Sequence, residues 1–349
     1  MRMFGRQSAR AVVNTVERLY RDRTLYTSQD MFSPPSERLP HVIRFELTQG
    51  CSWGRCTYCG GFDGVPSKTK SLKEYKEHVD AVWDRVSPGL AYKLRRVFIG
   101  GGNALGVETD TLSKAIKYTL NKFDRHADGL PNRTAIYGRT DDILKKGVSG
   151  LRKLKNVGRN IFGSFGGLDL IYWGVESGSD GVLKYVNKGY TQKQIIEAAE
   201  IVRSAGIDTS VMIMPGLGGI KFYDEHIQGT ARVLNKIRPK YLTFMGINPA
   251  SQSRYSVVMN REVANGSNRP LKDQELATQM WRIIRKMGIW DCKVGCFDCH
   301  IDQVGHNPLP FGSTSISDEY DRNDLLRNLA FKICTKLGGD PDQLYDQIR

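Results

Sequence analysis

The chain is short of several things, and each shortage narrows the reading. No apolar run approaches the length of a membrane span, and the first thirty residues lack the apolar core of a signal peptide. A soluble, cytoplasmic protein with reduced thiols is therefore expected. Acidic residues are scarce: 37 Asp and Glu face 51 Lys and Arg, a formal charge of +14 in 349 residues. That balance favours an anionic partner, such as nucleic acid, a nucleotide or an acidic surface. From Ile143 to Leu168 there is no acid at all, while Lys145, Lys146, Arg152, Lys153, Lys155 and Arg159 are present. Ile143, Leu144, Val148, Leu151 and Leu154 form an apolar stripe through the same stretch, so these cations read either as a phosphate-binding patch or as a solvated helix face. No RNA-binding fold or aromatic stacking platform accompanies them.

Cysteine is sparse as well, seven in all, but it is not scattered. Cys51, Cys56 and Cys59 fall within nine residues, spaced C-x4-C-x2-C, just after a β-strand pattern at Val42–Leu47. Three thiolates on one loop can wrap a soft metal centre. They are one ligand short of closing a four-iron cube, which leaves an iron open to substrate or cofactor. A structural zinc site, a disulfide or plain thiols are the alternatives. Zinc normally has a fourth Cys or His nearby, and the fifteen residues after Cys59 contain neither. Cys292, Cys296 and Cys299 form a second group, C-x3-C-x2-C, with His300, His306 and Cys334 as candidates for a fourth ligand. An auxiliary iron–sulfur cluster, a zinc site and unligated thiols all fit that group.

Strand and helix patterns alternate through the middle of the chain. Val42–Leu47 precedes a helix near Leu72–Val86, and Arg96–Ile99 precedes Thr109–Phe123. Arg133–Tyr137 leads into Asp141–Asn156 and Leu170–Val175 into Thr191–Ala205. Asp208–Met214 is followed by Tyr223–Ile237, and Tyr241–Met245 by Asp273–Met287. Six such pairs predict parallel strands with outer helices and right-handed crossovers, and a full barrel would need eight. The fold class expected is α/β, a partial (β/α)6 TIM-like barrel. Its organisation is an N-terminal helical arm and linker at 1–40, a core at 41–287 and a cysteine-containing C-terminal extension at 288–349. The arm is Arg-rich, with Val12, Val13, Val16 and Leu19 at helical spacing, and an organellar presequence has a similar look. Ser33-Pro34-Pro35-Ser36 reads as a linker.

Chemistry in such sheets sits at the carboxyl ends of strands. Gly100-Gly101-Gly102-Asn103 ends the second strand, where glycine lets backbone groups approach a ligand; a plain tight turn is the alternative. Glu176 and Ser177 end the fourth, where a carboxylate can accept ribose hydroxyls or form an ion pair.

The three cysteines after the first strand, Tyr58 between the last two, the glycine run and Gly174-Val175-Glu176-Ser177-Gly178 together resemble the radical SAM superfamily over roughly Ser33 to Pro249. Within it the chain looks like the branch of oxygen-independent coproporphyrinogen oxidases and methylthiotransferases. The common spacing there is C-x3-C-x2-C, so C-x4-C-x2-C is a departure.

The resemblance implies a [4Fe-4S] cluster on Cys51, Cys56 and Cys59, with S-adenosylmethionine on its open iron, split to a 5′-deoxyadenosyl radical that abstracts hydrogen from substrate. It implies that Gly100, Gly101 and Gly102 hold the methionyl amino group, although Asn103 stands where the family has an acid. Glu176 and Ser177 would face the ribose side, Lys188 the carboxylate, and Tyr58, Met214 and Gly216 the adenine. Packing alone is the alternative for Tyr58 and for the Met214–Gly219 loop, and a solvated helix end for Lys188. The implied partners are an unidentified substrate, such as RNA or a phosphorylated metabolite, and an electron donor such as flavodoxin or ferredoxin. A cobalamin domain has no room. A non-catalytic iron–sulfur- or zinc-bearing binding protein on the same fold is the other function class.

Overall fold

The computed structural model describes residues 21–22, 24–27, 33–37, 41–60, 62, 65–127, 129–159, 165–247, 249, 251–297 and 314–315. The arm helix expected around Val12–Leu19 lies outside the described residues, as do Cys299, His300, His306 and Cys334. The chain divides into two compact units. One comprises Met1–Gly54, Gly64–Tyr172 and Ile201–Asp208; the other comprises Arg55–Asp63, Trp173–Glu200 and Thr209–Arg349.

In the first unit β1 (Val42–Gly50), β3 (Arg96–Gly102) and β4 (Arg133–Gly138) run parallel in the order β4-β3-β1, and β2 (Lys68–Thr69) adds antiparallel to β1. Their near-continuous burial is that of parallel strands covered on both faces. β1 outruns the expected Leu47 because Thr48 and Gln49 pair with Thr69 and Lys68. The helices are α1 (Leu72–Trp83), α2 (Pro88–Ala91), α3 (Thr109–Ala127) and α4 (Thr140–Lys155). A reciprocal capping box between Ser71 and Glu74 starts α1, satisfying two amide donors that a helix end leaves open. Val97, Ile99, Leu112, Ile116, Leu120 and Phe123 are wholly buried or nearly so.

The stretch expected as a linker is instead built into this unit. Ser33 and Glu37 are buried, and the Glu37 carboxylate accepts from the Tyr172 hydroxyl and the Arg133 guanidinium. A carboxylate removed from water requires such partners.

A small hairpin, β5 (Gly158–Arg159) with β6 (Phe165–Gly166), precedes β7 (Leu170–Glu176), which begins in the first unit and ends in the second. The second unit continues with α5 (Asp180–Tyr185), α6 (Gln192–Ala205), β8 (Asp208–Ile213), α7 (Tyr223–Ile237), β9 (Tyr241–Met245), α8 (Arg254–Ala264), α9 (Asp273–Lys286), β10 (Lys293–Phe297) and β11 (Thr314–Ser315). β8, β9 and β10 are parallel neighbours, with β11 antiparallel on β10, and α9 packs on α7.

Besides short elements such as β2, α2, α5 and the β5–β6 hairpin, two longer ones were not expected. α8 follows β9 before the anticipated helix, and β10 runs through the second cysteine group as a further parallel strand. No helix among the described residues is long and apolar enough to cross a membrane.

Candidate active site

Glycine is required at the end of β3 for a reason internal to the fold. The pairing of β1 with β3 shifts register between Glu46 and Gly50, which brings the two backbones close. A Cβ on Gly101 would lie 1.9 Å from the Thr48 carbonyl oxygen, and one on Gly102 would lie 1.9 Å from that of Gly50. Gly101 also has a φ of 99°, which an L side chain rarely adopts. The missing side chains make room for β1, so ligand contact is left to the backbone edge and to Asn103.

Asn103 is buried, and its amide Nδ2 donates to Ser52 Oγ at 3.0 Å and, in a short hydrogen bond, to Asp142 Oδ2. Its Oδ1 is buried with no hydrogen-bond partner. Asp142 lies in the first turn of α4, at the carboxyl end of β4, and burial raises its pKa, with Asn103 opposing. In the same unit the cysteine loop leaves β1 through Gly50 and Cys51, and Trp53 carries the Arg139 guanidinium 5.4 Å from its ring centroid.

The rest of that loop is fixed within the second unit. The Thr57 amide donates to the Val186 carbonyl at 3.0 Å, and the Thr57 carbonyl accepts from Tyr255 N at 3.1 Å. Asn187 and Arg254 side chains both donate to the Arg55 carbonyl. Cys56 and Cys59 are half-buried, as is Cys51 in the first unit, and none of the three is in a disulfide. Among the described residues no three Cys, His, Asp or Glu side chains are gathered closely enough to hold an ion.

Lys188 joins three of the expected positions. Its Nζ lies 3.1 Å from Glu176 Oε1 and 3.0 Å from the Tyr58 hydroxyl, and over the Tyr58 and Tyr190 rings. Gly174 makes room, since a Cβ there would lie 2.5 Å from Glu176 Oε1. Burial alone would lower the Lys188 pKa, but the Glu176 carboxylate and the Tyr190 and Tyr58 phenols outweigh it and hold the ammonium well above its usual value. Burial pushes the Tyr58 phenol up, with Glu176 and Cys56 adding to the shift. Glu176 adopts a φ of 62° and Asn187 one of 53°, left-handed conformations uncommon outside glycine and concentrated at functional sites.

Met214 packs with Tyr58 against one apolar cluster of Val182, Val186, Leu217, Tyr255 and Met259. In the loop beyond it, Gly216 N donates to Gln279 Oε1 at 2.7 Å and Gly218 N to the Tyr255 hydroxyl at 3.1 Å. Ser177 is wholly buried. Its Oγ lies 2.8 Å from Nδ1 of the buried His226 and accepts from Ser179 N, so its hydroxyl is engaged with α7 and its own turn.

In the second cysteine group, Cys292 precedes β10 and Cys296 lies within it, opposite Phe244. Four residues of strand set the two about 13 Å apart. Cys292 is 1% exposed, and burial beside Asp291 pushes its thiol up to about 12. The basic run is also committed locally. Lys146 and Lys155 donate to the Val107 and Gly206 carbonyls, Arg152 to that of Ser204, and Lys153 pairs with Asp110. Sequence reading singled out neither Asp142, which sits in the first turn after the end of β4, nor Tyr190, which lies in the connection between α5 and α6.

The family model of the radical SAM superfamily matches residues 45–234, more than half of the chain. Among curated protein sequences none matches. Among solved structures, the chain is similar to archaeal Methanocaldococcus infernus Elp3 with an N-terminal deletion, at 12% identity and a TM-score of 0.48, over 86% of this chain and 64% of that one. It is similar to the radical S-adenosylmethionine methyltransferase TsrM from Kitasatospora setae, solved with tryptophan and aza-SAM, at 12% identity and a TM-score of 0.44, over 64% and 39% of the two chains. Methylornithine synthase (PylB) matches at 11% identity with a TM-score of 0.46, over 97% and 91%. The chain thus spans less than two thirds of the length of Elp3 and TsrM.

Proposed function

We infer that this chain, which belongs to the radical SAM superfamily, is an enzyme that holds a [4Fe-4S] cluster on Cys51, Cys56 and Cys59, binds S-adenosylmethionine beside it and removes a hydrogen atom from an anionic substrate. When bound, cluster and nucleotide supply a reductive cleavage that yields methionine and the 5′-deoxyadenosyl radical. The types of donor present suit these groups. Three half-buried cysteines on one loop, none in a disulfide, suit a cluster with an open iron. The buried Oδ1 of Asn103 lacks a partner that a ligand N–H would provide.

The observation that carries the reading is the Lys188 contact with both Glu176 and Tyr58. It ties the segment bearing Cys56 and Cys59 to the polar end of β7, so thiolates and nucleotide-binding carboxylate belong to one rigid piece. Glu176 serves as acceptor for ribose hydroxyls. Lys188 fixes its rotamer and offsets its charge, and a ligand carboxylate would share an ammonium that Glu176 and Tyr58 already hold. Tyr58 and Met214 present an apolar edge for adenine.

The charge of +14 supports an anionic substrate, RNA or a phosphorylated metabolite, and an acidic donor of the flavodoxin or ferredoxin kind. A second metal site, iron–sulfur or zinc, draws on Cys296 and Cys299 and leaves Cys292 in the core, since the strand separates it from Cys296. A cluster-bearing protein without radical chemistry is the second reading, favoured by Asn103 in place of an acid.

Anaerobic reconstitution tests the metal centre. A brown protein with about four irons on the first loop is expected, losing that iron in C51A, C56A and C59A, with a reduced-state EPR signal that changes when S-adenosylmethionine is added. Zinc in its place, with no recoverable chromophore, would overturn the assignment.

A further inference from the structure

Exposed cations gather at one end of the second unit. β9 and β10 are entered from the last turns of α7 and α9, and the two connections are bound side by side. Asn235 Nδ2 donates to the Lys286 carbonyl at 3.0 Å, and its Oδ1 accepts from Gly288 N at 2.6 Å. The Trp290 indole N–H donates to the Pro239 carbonyl at 3.0 Å, and Lys293 N to that of Lys240 at 2.9 Å. Lys236, Arg238, Lys240, Arg285, Lys286 and Lys293, all exposed, thereby share one surface. Residues 226–241 and 276–295 contain a single acid, Asp291. Cations at a helix's last turn and cap oppose its dipole, which accounts for Lys236, Arg238, Arg285 and Lys286. Lys240 and Lys293 stand past the helices, where strands begin, and that effect does not reach them. Like charges so gathered repel one another, and an anionic partner offsets that cost. Apolar area accompanies the charge: Ile289 is 44% exposed, and the Trp290 ring, held through its N–H, is half-buried.

We propose that this surface binds single-stranded RNA, with its cations on successive phosphates and the Trp290 face against a base. Charge alone would suit any polyanion. The half-buried indole, fixed beside the cations, favours a nucleic acid, because every base has a π-face to lay on it and an acidic peptide has none. A single strand is favoured over a duplex, whose bases are already stacked on one another. The surface lies at the amino ends of β9 and β10, whereas Glu176 ends β7 and Met214 follows the carboxyl end of β8. The five residues of β9 put about 17 Å between the two ends of the sheet. The surface is thus an anchor for a polymer, outside the reaction centre. Its role in holding substrate rests on the anionic-substrate reading above; its capacity to bind RNA does not.

Fluorescence anisotropy on the iron-loaded, anaerobic protein tests this, with labelled oligouridylate, an RNA duplex of the same length and polyglutamate as ligands. Wild type is expected to bind the single strand most tightly, with an affinity that falls steeply as salt rises. K240Q/K286Q/K293Q should flatten the log–log salt slope by about 2 and weaken binding roughly a hundredfold near 0.1 M salt. W290L should weaken it roughly tenfold and leave the slope unchanged. K73Q/K114Q/K117Q removes the same charge from exposed positions on α1 and α3 of the first unit, and should cost less than about threefold. Equal losses in the two triple variants, a W290L that binds RNA as wild type does, or polyglutamate or duplex bound as tightly as the single strand would each overturn the assignment. Should a variant fail to fold, photocrosslinking of wild type to 4-thiouridine RNA decides: adducts within 236–241 and 285–293 are expected, and adducts confined to other segments overturn it. Protein that forms 5′-deoxyadenosine but binds no RNA removes this surface alone. RNA held here by protein without that chemistry removes the radical reading and leaves the surface standing.

Discussion

Lys188 Nζ sits 3.1 Å from Glu176 Oε1, with side chains about 7% and 10% exposed, so each group takes from the other the partner that water would otherwise supply. Removing one partner strands the other in a low-dielectric setting, which costs roughly 3–5 kcal/mol, whereas removing both costs less. K188M and E176L should each lower the melting temperature sharply, and the K188M/E176L double variant less than the sum of the two. Thermal melts in a double-mutant cycle check this, and strict additivity would show that the pair is not coupled. For pH, the ammonium is held above its unfolded value, so its contribution is complete below that value and disappears only as pH rises through the elevated one. Raising the pH to 9 should therefore leave this contribution intact.

Acid acts elsewhere. His78 is buried, its Nε2 accepts from Glu46 N at 2.9 Å, and burial lowers its pKa to about 4. The unfolded chain takes up a proton near the ordinary histidine value, while the folded one resists until about 4. Stability is thus lost as pH falls from about 6.5 towards 4, by roughly 3 kcal/mol for this residue alone. His226, lowered to about 3, extends the loss to lower pH. Melts between pH 7 and 4.5 should show a shallower decline in H78Q than in wild type, relative to each protein's own stability at pH 7. An equally steep decline would remove His78 as a cause.

Gly101 tests the close approach of β1 and β3. G101A adds a Cβ against the Thr48 carbonyl at a φ of 99°, so strain and clash combine. A loss of about 2–4 kcal/mol follows, since neither backbone can yield without breaking the ladder. Urea unfolding measures it, and a loss below about 0.5 kcal/mol, the scale of a neutral surface change, would mean that the strands have room to separate.

Cys292 should behave as a core thiol. With its pKa pushed up to about 12, alkylation by iodoacetamide at pH 8 should be slow in the native protein and fast once it is unfolded. C292A is expected to leave the total metal content unchanged, while C296S lowers it if a second site exists. A fall in metal content with C292A would place that thiol among the ligands.

Much of this was legible in one sequence. The β/α alternation follows from runs whose period is local, and strand ends at Gly102, Glu176 and Ile213 fall within a few residues of expectation. β10 was hidden because Lys293–Phe297 is short and carries a cysteine and a glycine, so only its pairing with β9 makes it a strand. The cysteine loop and the residues at strand ends were visible because spacing and position mark them. What they touch was not. Lys188 meets Tyr58 across 130 residues and Asn103 meets Asp142 across 39, and no periodicity reports such pairs. The basic run from Lys145 to Lys155 shows the converse, a composition signal that the folded chain largely spends on its own carbonyls and Asp110.

The most direct test is product analysis of the iron-loaded, dithionite-reduced protein incubated with S-adenosylmethionine under strict anaerobiosis. The expected result is 5′-deoxyadenosine and methionine in equal amounts from wild type, and neither from C56A. A fully loaded, reduced wild-type protein that forms neither product would contradict a radical enzyme and leave a cluster-bearing protein without that chemistry.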